Sequence, residues 1–310
     1  MNLITEASPH IHGRATTSKI MGCVLVSLLP TLIAATVLFG LNVPLLVLTY
    51  ALVAIAAEHL CCKLMKRPST AGDLSCVVTA VLLAFSLPAT CPLWVGALGT
   101  VFAIVCAKML FGGIGNNFAN PAVAGRIFIM VALPSALAFY PQVVFSTTDA
   151  LTGATPLAAA ASGSASYSVM DLLLGVHAGS LGETCVLTLF VGYLFLLALR
   201  IVDAWATVPF IAAVGAIMAL AGQDVVFHLL SGGLALGAFY MATDYSTTPM
   251  TPRGKIIFGL GCGIITALVR LFTSAPEGVA FSILFMNLFV PLIDRYTRPA
   301  LSGGAQHVLV

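Results

Sequence analysis

What most restricts this chain is a succession of apolar runs about as long as a bilayer is thick. No residue from Ile20 to Gly40 is charged. Similar runs, separated by Gly, Pro and charge, follow at 44–62, 73–88, 92–110, 122–140, 181–199, 205–221, 225–242, 254–272 and 278–294. A helix needs about 20 residues to cross the hydrocarbon core, so ten spans take about 200 of the 310 residues. Composition agrees: 60% of residues are hydrophobic and 8% charged, where soluble domains carry roughly 45–50% and 25%. Such a chain cannot cover a water-exposed globule with polar side chains. A soluble enzyme, a disordered chain and a secreted disulfide scaffold are excluded. The net charge of +2 has no basic stripe behind it, so no nucleic acid partner is implied. The expected fold class is an all-α polytopic membrane protein with the lipid bilayer as its solvent.

Residues 1–19 are polar, and the run after them is too long for a signal-peptide core, so it reads as a retained first span. The eight cysteines form no CxxC pair, which removes zinc-ribbon and ferredoxin-type spacings. The third and eighth runs are short. They end in breaks at Ser86 to Pro92 and Thr243 to Pro252, and backbone that leaves a helix within a bilayer must be covered by protein or line a cavity.

Charge predicts the orientation. With the N-terminus inside, twelve of the thirteen Lys and Arg fall at or near the inner side, Lys63, Lys66, Arg67, Lys108 and Arg126 among them, and only Arg270 falls at the outer end. This positive-inside bias implies an even number of spans with both termini cytoplasmic. Residues 141–180 then form an outer, periplasmic connection, which carries no Lys or Arg; a connection that long is commonly functional. The two halves echo each other. Phe111, Ala119 and Phe128 match Phe272, Ala280 and Phe289 at an offset of 161, and both halves run from a short span through a Pro-rich break to two further spans. Five spans per half would place the copies in inverted topology, and interrupted spans in matching positions point to a midplane site. The expected organisation is a cytoplasmic segment 1–19, a first repeat 20–140, an outer loop 141–180, a second repeat 181–294 and a cytoplasmic end 295–310.

Four places carry chemistry. In the outer loop, Asp149 precedes Thr152-Gly153-Ala154-Thr155-Pro156. Gly153 and Ala154 let a bulky group approach the backbone, Thr152 and Thr155 offer hydroxyls, and Asp149 could orient one; a plain Asx or Ser/Thr turn is the other reading. Ser180 and Glu183 have the spacing of a capping box opening the sixth span, or border whatever the outer loop holds. Asn116, Asn117 and Asn120 lie in a Gly-rich interruption before Pro121. It forms either a turn into the fifth span or an unwound segment whose amides line a cofactor or ion site. Arg126, one turn on, reads as snorkelling to the inner interface. Asp244, with Thr248 nearby, is the acid most expected at membrane depth, either functional or paired with Arg253 or Lys255. Glu58 and His59 read as interfacial.

Thr152-Gly153-Ala154-Thr155 resembles the S/T-G-A-T flavinylation motif of the Rnf and Na⁺-pumping NADH:quinone reductase families. Segments at Gly13 to Met21, Asn116 to Arg126, Gly179 to Thr184 and Thr247 to Lys255 are also similar to the NqrB/RnfD family. The short N-terminal segment is closer to the RnfD branch than to NqrB. The resemblance implies a urea-channel-like fold of about ten transmembrane helices in two inverted five-helix repeats. It implies covalent FMN, joined through its phosphate to Thr155 by a flavin transferase, and a second, non-covalent flavin, riboflavin, near Asp244. It implies a bacterial inner-membrane component working with RnfA, RnfB, RnfC, RnfE and RnfG, coupling electron transfer between ferredoxin and NAD, or toward a redox-sensor reductant, to Na⁺ or H⁺ movement. The alternative is a solute channel or secondary transporter, since fold does not decide function.

Overall fold

A computed structural model describes residues 16–141, 143, 152–161, 167–273 and 278–298. The chain is helical throughout most of this range. α1 (Thr17–Phe39) and α2 (Asn42–Leu64) form a hairpin. α3 (Ser75–Phe85) is a half-length helix. α4 (Leu93–Phe102) runs on as π-helical turns over Ala103–Met109, and α5 (Pro121–Ala132) follows. A two-residue antiparallel pairing joins β1 (Tyr140–Pro141) to β2 (Thr152–Gly153). Two short helices come next, α6 (Pro156–Ala161) and α7 (Val169–Leu174). The second half holds α8 (Val186–Ala198), α9 (Thr207–Leu220), α10 (Val225–Leu230) and α11 (Leu234–Leu236, continuing as a π segment, Gly237–Met241). α12 (Pro252–Phe272) and α13 (Gly278–Thr297) close the fold.

Four helices, α1, α2, α12 and α13, are long and apolar enough to cross a bilayer unaided, and five further apolar helices are shorter. The surface is that of a lipid-solvated protein. In α1, Val26, Leu29, Ile33 and Val37 are exposed at helical spacing while Leu28, Thr31, Ala35 and Leu38 are buried. Both faces are apolar because lipid and protein interior are equally so. Local chemistry sets the helix ends. Thr16, Asn120 and Thr251 each accept backbone N–H bonds at an N-cap, and Asn120 and Thr251 are followed by Pro at the first helical position, where a missing N–H costs nothing.

Three predicted spans differ from the helices observed. The run at 122–140 is helical only to Ala132; Leu133 turns extended-like before Pro134 and a short 3₁₀ turn follows. The run at 225–242 divides at Ser231–Gly233, where Gly232 has φ +68°. The run at 181–199 becomes helical at Val186, because residues 180–184 serve another purpose. Their backbone meets the end of α3: Leu181 N–H donates to Leu87 O at 3.0 Å and Gly182 N–H to Phe85 O at 2.7 Å. A helix end inside lipid needs such partners. Only glycine fits at 182, since a Cβ there would lie 2.8 Å from Phe85 Cβ and 3.1 Å from Phe85 O.

Packing joins the halves along two seams. α1 lies against α8, and α5 against α13. Within each half the later helices pack in sequence: α4 on α5, and α12 on α9 and α13. Gly259 and Gly263, one turn apart, bring α12 so close to α9 that added Cβ atoms would meet Ala206 O at 2.2 Å and Phe210 O at 2.6 Å, the small-residue contact of membrane helices. At the α5–α13 seam, Asn287 Oδ1 accepts from Asn120 N–H at 3.1 Å and Asn287 Nδ2 donates to Thr247 O at 2.9 Å. Asn120 Nδ2 donates to Met241 O at 3.2 Å. Two buried amides therefore tie α5 and α13 to the start and the middle of the second-half break.

Candidate functional site

Helix direction defines two sides, here the near side, which holds the start of α1, and the far side. Each has a cavity. The near cavity opens among the start of α1, the starts of α3 and α5, the end of α4 and the residues after α11. Its polar lining is Ser75, Thr79, Lys108, Asn117, Asn120 and Asp244, with Tyr240, Thr243 and Ser246; Val24, Val78, Leu82 and Leu196 supply apolar wall. A second space of about 740 Å³ adjoins it, sharing Asp244 and Tyr245 and lined also by Thr248 and Lys255.

Asp244 is held by hydroxyls. Ser246 Oγ donates to its Oδ2 at 2.9 Å and Thr247 Oγ1 at 3.0 Å, while Asn117 Nδ2 reaches Ser246 Oγ at 3.5 Å. The expected pairing of Asp244 with Arg253 or Lys255 is not what forms: Lys255 pairs with Asp203 instead. Thr248 Oγ1 is spent on Ala242 O at 2.8 Å, which satisfies a carbonyl left open where the π segment ends. Asn116 is exposed and does not line this cavity; its neighbours Asn117 and Asn120 do.

The far cavity is lined by Ser86, Arg126, Glu183, Gly233, Met241 and Arg270, with apolar residues of α5, α11 and α13. Arg126 is 3% exposed and Glu183 6%. Arg126 does not snorkel to an interface; buried in α5, it faces a cavity shared with Glu183 and Arg270. Glu183 Oε2 accepts from Ser180 N–H at 3.3 Å. This is one arm of the predicted capping box, formed in a turn ahead of the helix rather than at its start. Arg270 donates to His228 O at 2.5 Å and Ser231 O at 3.0 Å, the carbonyls freed where α10 breaks.

No residue of the Thr152–Pro156 motif lines this cavity; the motif leads into α6, whose Leu157 packs near Gly232 and Arg270. β2 holds Thr152 and Gly153 opposite Pro141 and Tyr140. Thr155, 8% exposed, precedes α6; its Oγ1 accepts from Ala158 N–H at 3.4 Å, and its carbonyl accepts from Ala159 N–H at 2.9 Å. Thr155 thus stands at the N-cap of α6, its hydroxyl and carbonyl both accepting from the helix's first free N–H groups. Pro156 starts α6 and Leu157 seats it: a Cβ on Gly232 would lie 2.6 Å from Leu157 Cδ1 and 3.2 Å from Arg270 Nη2. The motif's helix therefore rests on the α10–α11 break, next to Arg270. Asp149 lies outside the described residues.

Charge alone assigns Glu58, Lys108, Arg126 and Arg270 to the membrane edges, and the structure places the first three in the interior. Glu58 is 0% exposed and Lys108 1%, paired at 2.6 Å. The signal in the sequence is that each interrupts an apolar run, and ionisable residues within spans mark function.

The family model described as NQR2, RnfD, RnfE matches residues 4–303. The chain belongs to this family. Among curated relatives, the D component of the Na⁺-translocating ferredoxin:NAD⁺ oxidoreductase complex of Acetobacterium woodii is 41% identical over 98% of this chain and 96% of its own. The proton-translocating counterpart of Clostridium ljungdahlii is 37% identical over 97% of each. The D component of the ion-translocating oxidoreductase complex of Stutzerimonas stutzeri is 36% identical over 94% of this chain and 93% of its own. All three relatives are components of oxidoreductase complexes, which disfavours the channel alternative.

Proposed function

We propose that this chain is the RnfD-type membrane component of an ion-translocating electron-transport complex, carrying covalent FMN on Thr155 and a non-covalent flavin, riboflavin, in the near cavity. The complex couples electron transfer between ferredoxin and NAD to Na⁺ or H⁺ movement, together with RnfA, RnfB, RnfC, RnfE and RnfG. The observation that supports this reading is a pair of cavities with polar side chains set in apolar walls, one lined by Arg126, Glu183 and Arg270, near which Leu157 of the motif's helix packs, and one lined by Asn117, Asn120 and Asp244.

The residues present suit the groups. Gly153 and Ala154 put no side chain larger than a methyl before the Thr155 hydroxyl, and an ester oxygen there keeps a lone pair for Ala158 N–H. Arg270, already fixed on Ser231 O beside Leu157, supplies positive charge for a phosphoryl group. In the near cavity, the Asn117 and Asn120 amides offer donors and acceptors to an imide edge, and Asp244 offers an acceptor. When bound, flavins supply reversible one- and two-electron transfer; the protein positions them and sets their potentials. This chain's own contribution is to hold two sites at different depths and to keep the breaks between them closed by backbone pairing.

The architecture is read as ten spans in inverted repeats. At the offset of 161, α1, α2, α4 and α5 fall on α8, α9, α12 and α13, α3 falls on the end of α11 with its π segment and the residues after it, and Pro88 falls on Pro249. In this reading the near side is cytoplasmic, with both termini, and the 141–180 loop is periplasmic in a bacterial inner membrane. A flavin transferase matures Thr155.

The test is expression with that transferase, followed by a denaturing gel and mass analysis of the peptide from Asp149 to Asp171. Wild type should fluoresce and carry FMN mass, and Thr155→Val should do neither. A fluorescent Thr155→Val band would refute the attachment site.

A further inference from the structure

The near cavity has a buried cation in its wall for which the proposed function gives no role. Lys108 Nζ donates to Glu58 Oε2 at 2.6 Å and to Ser75 Oγ at 2.6 Å. An ammonium has three N–H donors, so these bonds leave a third. The pair is braced from behind: Thr70 Oγ1 donates to Glu58 Oε1 at 2.5 Å, and Ser75 Oγ to Asp73 Oδ1 at 2.5 Å. Lys108 lies in the π-helical end of α4, a distortion that recurs at functional sites. Among the described residues lining the cavity it is the one basic side chain, and Asp244 is the one acid.

Stability does not account for this arrangement. Burying two charges costs several kcal/mol per ion, and apolar replacements of such pairs are often neutral or stabilising. A hydroxyl-braced ion pair at a cavity wall is instead what fixes a charge in one position while the cavity's contents change.

We propose that Lys108 is the electrostatic contact for the electron-rich edge of the planar heterocycle in the near cavity and that it raises that ring's reduction potential. The inference rests on the reading that this cavity holds the non-covalent flavin. A flavin ring that gains two electrons and one proton bears one net negative charge, spread over N1 and the C2 carbonyl, whereas the oxidised ring is neutral. A fixed cation at a low-dielectric wall stabilises the charged form and leaves the neutral one nearly untouched. Glu58 and Ser75 hold the Lys108 nitrogen in one position at the cavity wall.

The test compares full-length wild type, Lys108→Met and the double variant Glu58→Gln/Lys108→Met, purified in detergent from cells holding the flavin transferase. The double variant strands no buried carboxylate. Non-covalent flavin is counted after acid release, its midpoint potential is read by anaerobic spectroelectrochemical titration, and gel fluorescence of the covalent flavin with thermal melting reports folding. Both variants should favour the reduced ring less, by about tenfold in relative binding, a shift of about −30 mV for a two-electron couple. Loss of the non-covalent flavin alone, with melting and covalent flavin unchanged, also supports the contact. A double variant with full occupancy and unchanged potential overturns the inference. A wild-type protein that releases no flavin on acid treatment overturns the underlying reading, and the inference with it.

Discussion

Replacing Asn287 by Leu tests whether the α5–α13 seam holds the break together. Asn287 is 2% exposed, and both ends of its amide are engaged with backbone, at Asn120 N–H and Thr247 O. Leucine is close in size and removes both bonds. Ordinary hydrogen bonds between membrane helices are worth on average about 0.6 kcal/mol, because the separated helices find other partners. The groups stranded here lie where the chain has left its helix, so no intrahelical partner waits. Each buried, unpaired backbone group costs about 1–3 kcal/mol, giving about 2–6 kcal/mol for the two. Equilibrium unfolding in mixed detergent–SDS micelles measures this directly. A thiol-reactive fluorogenic dye serves as the probe, since Cys61, Cys62, Cys76, Cys91, Cys185 and Cys262 are buried in the folded protein. A loss below about 1 kcal/mol, the ordinary interhelical range, would refute the argument that these are stranded break groups.

Gly182→Ala should cost about 1–3 kcal/mol by overpacking against Phe85, read by the same dye, whereas Gly22→Ala, with open space around it, should be within about 0.5 kcal/mol of wild type. Thr155→Ser keeps the hydroxyl and should keep gel fluorescence, which separates chemistry from packing at that position. His177, outside the predicted spans, is buried beside Tyr167. Burial pushes its pKa below the usual 6.5, with the nearby Asp171 charge opposing. Its stabilising contribution is therefore complete above pH 6.5 and is lost as pH falls from there toward the folded value. Wild type should lose more melting temperature than His177→Asn between pH 7.5 and 5.5, and equal slopes would contradict this.

Much of the site is legible in the sequence because membrane chemistry is sparse. In a chain with 8% charged residues, an Asp or Asn near a Pro-rich break stands out, and Asn117, Asn120 and Asp244 do meet in one cavity. Charge bias alone misplaces Glu58, Lys108 and Arg126. Counting rules see how far a residue lies from a span's end, while burial depends on what packs over that end. The spacing of Ser180 and Glu183 correctly predicts a bond and wrongly predicts a helix start, since nothing local says that the Leu181 and Gly182 N–H groups are needed by Phe85 and Leu87.

The sequence by itself determined the solvent, the apolar segments and the points where helices must stop, because transfer into lipid and the lack of an N–H on Pro act residue by residue. The tertiary structure decided which segments face one another and so which charges share a wall. Lys108 finds Glu58 fifty positions away, and Tyr240 reaches Ser27 O across 213. An apolar helix gives no amphipathic signal to announce such partners, because its lipid-facing and protein-facing sides are written in the same residues.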